Sequence, residues 1–209
     1  MSFNMPDHSE YIVFAEQLAK YSRRMLLTAS KIVPKITIKS DSSYVTETDK
    51  AVERKLREEI QKKYPDHGII GEEFEDVNSN SDFVWILDPI DGTAAFVAGI
   101  PVYGTLIALA WKGMPFIGVI DHPLTDDRWV GVSNRSAFKN GIPITTRSCT
   151  DIRKAYVTCS NPDFMSENQL MQFIKIRDKV AYVQYGASCF AYGTLASGRS
   201  DFAVDAGLE

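Results

Sequence analysis

The stretch Trp85-Ile86-Leu87-Asp88-Pro89-Ile90-Asp91-Gly92-Thr93 constrains this chain more than any other. An apolar run, Phe83 to Leu87, ends in two aspartates three residues apart. Gly92-Thr93 follows at once, and then Ala94 to Ala98, which can be helical. A buried strand that delivers two carboxylates to a helix start makes a small, dry, negative pocket. Hard divalent cations such as Mg²⁺ take oxygen ligands of this kind, and free N–H groups at a helix start hold anions. Cation and anion sites side by side are what phosphoryl transfer needs. The same fragment also suits an ordinary Asx-turn capping a helix, so the rest of the chain has to decide.

Upstream, His8 to about Ser30 has helical periodicity. Phe14, Ala15, Leu18, Ala19, Met25 and Leu26 fall on its apolar face. Pro34 closes this segment, Ile36 to Lys39 reads as a short extended stretch, and Ser40 to Ser43 as a polar loop. Thr46 and Asp49 have the spacing of a capping box, with the shorter Asp as its acid. A second amphipathic helix is expected from about Thr48 to Lys63, ended by Tyr64-Pro65-Asp66. Asp49 suits two roles, a first-turn acid complementing the helix dipole or a carboxylate aimed at the pocket of Asp88. Gly68-Ile69-Ile70-Gly71 is a short strand that ends in Glu72 and Glu73. Two strands that each end in acids can bring those acids together, and this repetition favours a metal site.

Downstream, strands are expected at Thr105–Trp111, Phe116–Ile120 and Arg128–Val132. A turn is expected at Lys112–Pro115 and a hairpin at Asn140-Gly141. Beyond about Thr146 the pattern alternates: strand Ala155–Cys159, helix Ser166–Ile176, strand Val180–Gln184, helix Ser188–Ala196, strand Asp201–Val204. Two lobes are therefore expected, residues 1–146 carrying the acidic motifs and residues 147–209 forming an α/β lobe.

The 209 residues are 44% hydrophobic, enough for a substantial core. The net charge of -4 includes no basic block, which argues against a nucleic-acid partner. No apolar run reaches membrane-spanning length, and Met1 to Glu10 lacks a signal-peptide core. Cys149, Cys159 and Cys189 have no paired spacing, which points away from zinc and toward a reduced, cytoplasmic setting. His8, His67 and His122 are isolated.

Taken together, Val45-Thr46-Glu47-Thr48-Asp49, Gly71-Glu72-Glu73 and Asp88-Pro89-Ile90-Asp91-Gly92-Thr93 resemble the signature of the inositol monophosphatase-like family of metal-dependent, lithium-sensitive phosphatases. The resemblance implies a layered α-β-α-β-α sandwich, an α+β or α/β fold whose second lobe is incomplete here. It implies Mg²⁺, two or three ions per complete site, with ligands Glu72, Asp88, Asp91 and the main-chain carbonyl of Ile90. Asp49 and Thr93 match the pair that orients and deprotonates the attacking water. The N–H groups of Gly92 and Thr93 match the phosphate cradle, and Asp205 matches an acid that contacts the leaving alcohol. The implied partners are a small phosphate monoester and a second copy of the chain.

Later segments resemble the histidinol-phosphatase branch: Tyr103 to Leu109, Ile120-Asp121-His122-Pro123, Arg128 to Gly131 and Asp201 to Leu208. The expected reaction is therefore hydrolysis of histidinol phosphate in histidine biosynthesis. The alternatives are an inositol, sugar or nucleotide phosphatase, and a non-catalytic metal-binding form. The chain departs from the family in three places. Ala94 follows Gly-Thr where a polar residue is common. Gly186-Ala187-Ser188-Cys189 stands where the histidinol branch has Gly-Gly-Asp-Cys, leaving Asp205 as the acid to meet a ligand ammonium. The family's further metal-binding aspartate would lie beyond Glu209, so a C-terminally truncated member is expected, with an open edge at the Asp201–Val204 strand.

Overall fold

The apolar faces of two helices and one side of a large sheet meet in the main core. This computed structural model describes residues 7–38 and 44–207. The expected polar loop Ser40–Ser43, Lys39, the first six residues and Leu208-Glu209 lie outside them. Helix α1 (Ser9–Ala29) is followed by a small antiparallel pair, β1 (Ile36–Ile38) and β2 (Tyr44–Thr46), and by α2 (Glu47–Lys63). Phe14, Leu18 and Leu26 of α1 and Val52, Leu56 and Ile60 of α2 pack with Ile69, Trp85, Leu87, Ile107, Leu109 and Val119 of the sheet. Each fully buried aliphatic side chain of this set contributes roughly 1.5–3 kcal/mol of burial free energy.

The sheet has seven strands in chain order: β3 (Gly68–Gly71), β4 (Phe83–Asp91), β5 (Gly104–Trp111), β6 (Met114–His122), β7 (Asp127–Val132), β8 (Ala137–Lys139) and β9 (Ile142–Ile144). Only β3 and β4 run parallel; the other neighbours form the expected antiparallel meander. Several element boundaries shift by one or two residues from the sequence reading. The β5–β6 turn is the two residues Lys112-Gly113, with φ of 50° and 75°, so Met114 and Pro115 belong to β6. Asn140-Gly141 turns the same way, with φ of 50° and 77°. As expected, β4 carries both aspartates to a helix start, running to Asp91 just before α3 (Thr93–Ala98).

A second, parallel sheet has the order β11-β10-β12, from β10 (Tyr156–Cys159), β11 (Tyr182–Tyr185) and β12 (Phe202–Ala203). Helices α4 (Glu167–Arg177) and α5 (Ser188–Ala196) make its crossovers. Strand β12 is an edge of this sheet among the described residues. The large sheet ends at Ile144 and the small one starts at Tyr156. Helix α5 docks on the large sheet: Phe190 lies 5.5 Å from the Trp129 ring and 4.8 Å from His122, and Trp129 Nε1 donates to Ser197 at 2.8 Å.

Candidate active site

Strand register is what gathers the acids. The β3–β4 pairing sets Gly71 against Leu87, so Glu72 and Asp88, the next residues on parallel neighbours, lie side by side. They share a hydrogen bond. Asp88 and Asp91 would point to opposite faces of a regular strand, because side chains alternate. Here β4 pairs Asp88 with Leu106 and Asp91 with Gly104, three steps on one strand against two on the other. The extra residue is a β-bulge, and it returns Asp91 to the side of Asp88. The bulge is pinned by Thr105, whose hydroxyl donates to the Pro89 carbonyl at 2.9 Å and shares a short hydrogen bond with Ser22 of α1.

Asp88 is therefore a buried carboxylate among carboxylates. Burial pushes its pKa well above the usual range, and Asp91, Glu72 and Asp49 push it further in that order. Its Oδ1 is buried without a hydrogen-bond partner. Burial also raises Asp91, whose carboxylate accepts the backbone N–H of Cys189 at 2.5 Å. A buried Asp88 with an orphaned oxygen, set among Asp91, Glu72 and Asp49, suits a hard divalent cation. The side chains themselves are held by protein partners. Among the described residues, no three His, Cys, Asp or Glu side chains are grouped as they stand so as to hold a metal ion.

Asp49 sits in the first turn of α2 and is fully buried. The expected capping box is present: Asp49 Oδ2 accepts the Thr46 N–H at 2.8 Å and the Thr46 hydroxyl at 2.5 Å. This leaves Asp49 Oδ1 facing the hydroxyl of Thr93 at 3.2 Å, so the capping role and the pocket-facing role coexist in one side chain. The Thr93 hydroxyl is also 3.0 Å from the carbonyl of Ile90, so the proposed carbonyl ligand and the Asp49–Thr93 pair adjoin. Burial raises the Asp49 pKa, while the hydrogen bonds from Thr46 and Thr93 oppose it.

Gly92 is the N-cap of α3, and no aspartate side chain caps this helix. That excludes the Asx-turn reading of the motif. Gly92 has φ of 80°, and a Cβ there would lie 2.8 Å from Ser188 Oγ, so glycine is required on two grounds. Asp205 comes to the site from the second sheet. It accepts the Ser160 N–H at 2.6 Å and the Tyr192 hydroxyl at 2.6 Å, and its charge is felt by Asp91. Sequence reading missed Tyr192, Ser160 and the Cys189 N–H. Cys189 and Tyr192 lie on α5 and Ser160 follows β10, so they reach the site only through the pairing of the second sheet, for which no local motif exists. The three histidines stand apart: His67 stacks between Tyr64 and Phe83, and His122 is buried against Phe190.

Residues 7–209 match the model of the inositol monophosphatase family. The chain belongs to that family. Within the family it is similar to the chloroplastic bifunctional phosphatase IMPL2 of Arabidopsis thaliana, at 42% identity over 83% of this chain and 51% of the relative. It also resembles a protein named histidinol-phosphatase from Chlorobaculum parvum, at 31% identity over 96% of this chain and 76% of the relative. The chain thus spans about half the length of the Arabidopsis relative. A solved inositol monophosphatase structure from Zymomonas mobilis superposes with a TM-score of 0.86 at 34% identity, covering 98% of this chain and 79% of that one. The family's layered α+β fold is the fold described above.

Proposed function

We propose that this chain hydrolyses small phosphate monoesters with a divalent cation, Mg²⁺ being the expected ion, and that histidinol phosphate is its preferred substrate. The observation that carries the reading is the buried, partnerless Oδ1 of Asp88, set among Asp91, Glu72 and Asp49 and adjoining the Asp49–Thr93 pair. Glu72, Asp88, Asp91 and the Ile90 carbonyl would hold the cation. When bound, it supplies charge neutralisation at the phosphoryl oxygens and acidifies a coordinated water.

The chain's own groups do the rest. Asp49 Oδ1 accepts from the Thr93 hydroxyl, which leaves that hydroxyl oxygen able to accept a proton from water and pass one on to the carboxylate. The main-chain N–H groups of Gly92 and Thr93, at the start of α3 with no side-chain cap, would suit the phosphoryl oxygens. No side chain is needed as a covalent nucleophile. Water and ester give inorganic phosphate and the free alcohol.

Asp205, steadied by Ser160 and Tyr192, is the group that would meet a cationic alcohol. The histidinol-phosphatase name of the Chlorobaculum relative supports the same choice. Tyr192→Phe should then raise KM for histidinol phosphate roughly tenfold, the worth of one hydrogen bond to a charged group. Turnover of inositol monophosphate should change much less. Steady-state kinetics on both esters checks this, and an equal loss on both would remove Asp205 from substrate choice. Assay of the wild type against a panel of phosphate monoesters, with Mg²⁺ and with a chelator, tests the reading as a whole. No ester turned over faster with Mg²⁺ than without would overturn it.

A further inference from the structure

One buried ion pair is joined mainly to backbone outside its own helix. Glu53 and Arg57 lie one turn apart on α2, with Glu53 fully buried and Arg57 7% exposed. Arg57 Nε donates to Glu53 Oε1 at 2.7 Å. The other bonds go to the loop after β3. The Glu73 N–H donates to Glu53 Oε2 at 2.8 Å, and the two remaining Arg57 nitrogens donate to the carbonyls of Phe74 and Glu75, each at 2.9 Å. The Phe74 ring lies 5.8 Å from Arg57 and 5.4 Å from Arg54, two cation–π distances. Gly71 allows this approach, since a Cβ there would lie 2.1 Å from Glu53 Oε1.

A buried ion pair is weak evidence for stability, because desolvating two charges offsets most of their attraction. What this pair does is fix the three residues that follow Glu72. We infer that Glu53 and Arg57 are positioning residues for the metal site, clamping the loop so that the Glu72 carboxylate is presented beside Asp88. Asp49 lies four residues before Glu53, on the same face of α2. One helix therefore sets both the proton-accepting carboxylate and the cation-binding one, and their separation is held by the rigidity of a single turn. The inference rests on the metal-site reading above.

Its test uses the full chain with both charges removed together, so that no lone ion is left buried. In Glu53→Leu/Arg57→Met the side chains keep similar volume and lose every bond to the loop. The expected result is a folded protein, by circular dichroism, whose calorimetric affinity for Mg²⁺ falls at least about tenfold, as when outer-shell partners of metal ligands are removed. Amide hydrogen exchange of residues 72–76 should rise severalfold while that of α1 stays unchanged. Glu53→Gln/Arg57→Met keeps an acceptor for the Glu73 N–H and should recover part of the affinity. Wild-type affinity and exchange in the Leu/Met variant would overturn the inference. So would its failure to fold, which would make the pair a structural support. A wild-type chain that binds no Mg²⁺ would refute the metal-site reading itself, while exchange at 72–76 would still report on the clamp.

Discussion

Burial, then Asp91, Glu72 and Asp49, opposes a charge on Asp88. Its neighbours repel it and nothing donates to Oδ1. A site poised for a cation is strained without one, so function and stability should pull in opposite directions here. Asp88→Asn removes the charge and keeps the shape. We expect it to lower phosphate release at least about a hundredfold, roughly 3 kcal/mol of transition-state stabilisation. In chelator, the same variant should be more stable than wild type by about 1–2 kcal/mol. Urea titrations in EDTA beside the activity assay check both signs, and a variant destabilised in EDTA would contradict the electrostatic reading. Thr46 is the complementary case. Its hydroxyl accepts the Thr48 N–H at 3.1 Å and donates to Asp49, so it caps the helix and aims the acid together. Thr46→Val should cost about 1 kcal/mol as a lost cap and should lower kcat more than it raises KM, read by denaturation and steady-state kinetics.

At the scale of elements, α2, β3 and β4 were legible in the sequence because each is bounded by its own chemistry. The Thr46–Asp49 box starts α2, Tyr64 ends it, and the acidic ends of β3 and β4 mark the pocket. The approach of Glu72 to Asp88 was readable from these local signals, whereas the pairing of Asp49 with Thr93 came from the family resemblance. The bulge was not readable, because an extra residue in β4 is defined only against β5, and Pro89 reads as a strand end when β4 is taken alone. Tyr192 and Asp205 were split in the same way. Asp205 came from the family resemblance, whereas Tyr192 meets it only because β12 pairs with β10 and brings α5 alongside. The Glu53–Arg57 clamp has the i, i+4 spacing of an ordinary surface pair, and only its burial against the 73–75 loop sets it apart.

At the scale of the molecule, the candidate site lies where two sheets approach, with Asp88 and Asp91, the acids proposed to hold the cation, on the large sheet and Asp205 at the end of the small one. Part of that arrangement rests on the clamp between the connecting segment and β12: Arg147 donates to Asp201 at 2.7 and 2.6 Å, and Asp201 also accepts the Tyr156 N–H at 2.7 Å. The Arg147 hydrogen bonds, then that from Tyr156, hold the Asp201 pKa down to about 2, below the ordinary 3.8. A depressed carboxylate stabilises the folded state fully above its unfolded value and loses that contribution as pH falls through the folded one. Wild type should therefore exceed Asp201→Asn in stability at neutral pH, with the gap closing between about pH 4 and about pH 2. Urea midpoints across that range check it, and a gap that widens on acidification would contradict it. The central claim is tested most directly by phosphate release from histidinol phosphate, measured with Mg²⁺, after chelation and after Mg²⁺ is restored. The account predicts turnover that chelation abolishes, Mg²⁺ restores and Asp88→Asn removes; turnover indifferent to both the chelator and that substitution would contradict it.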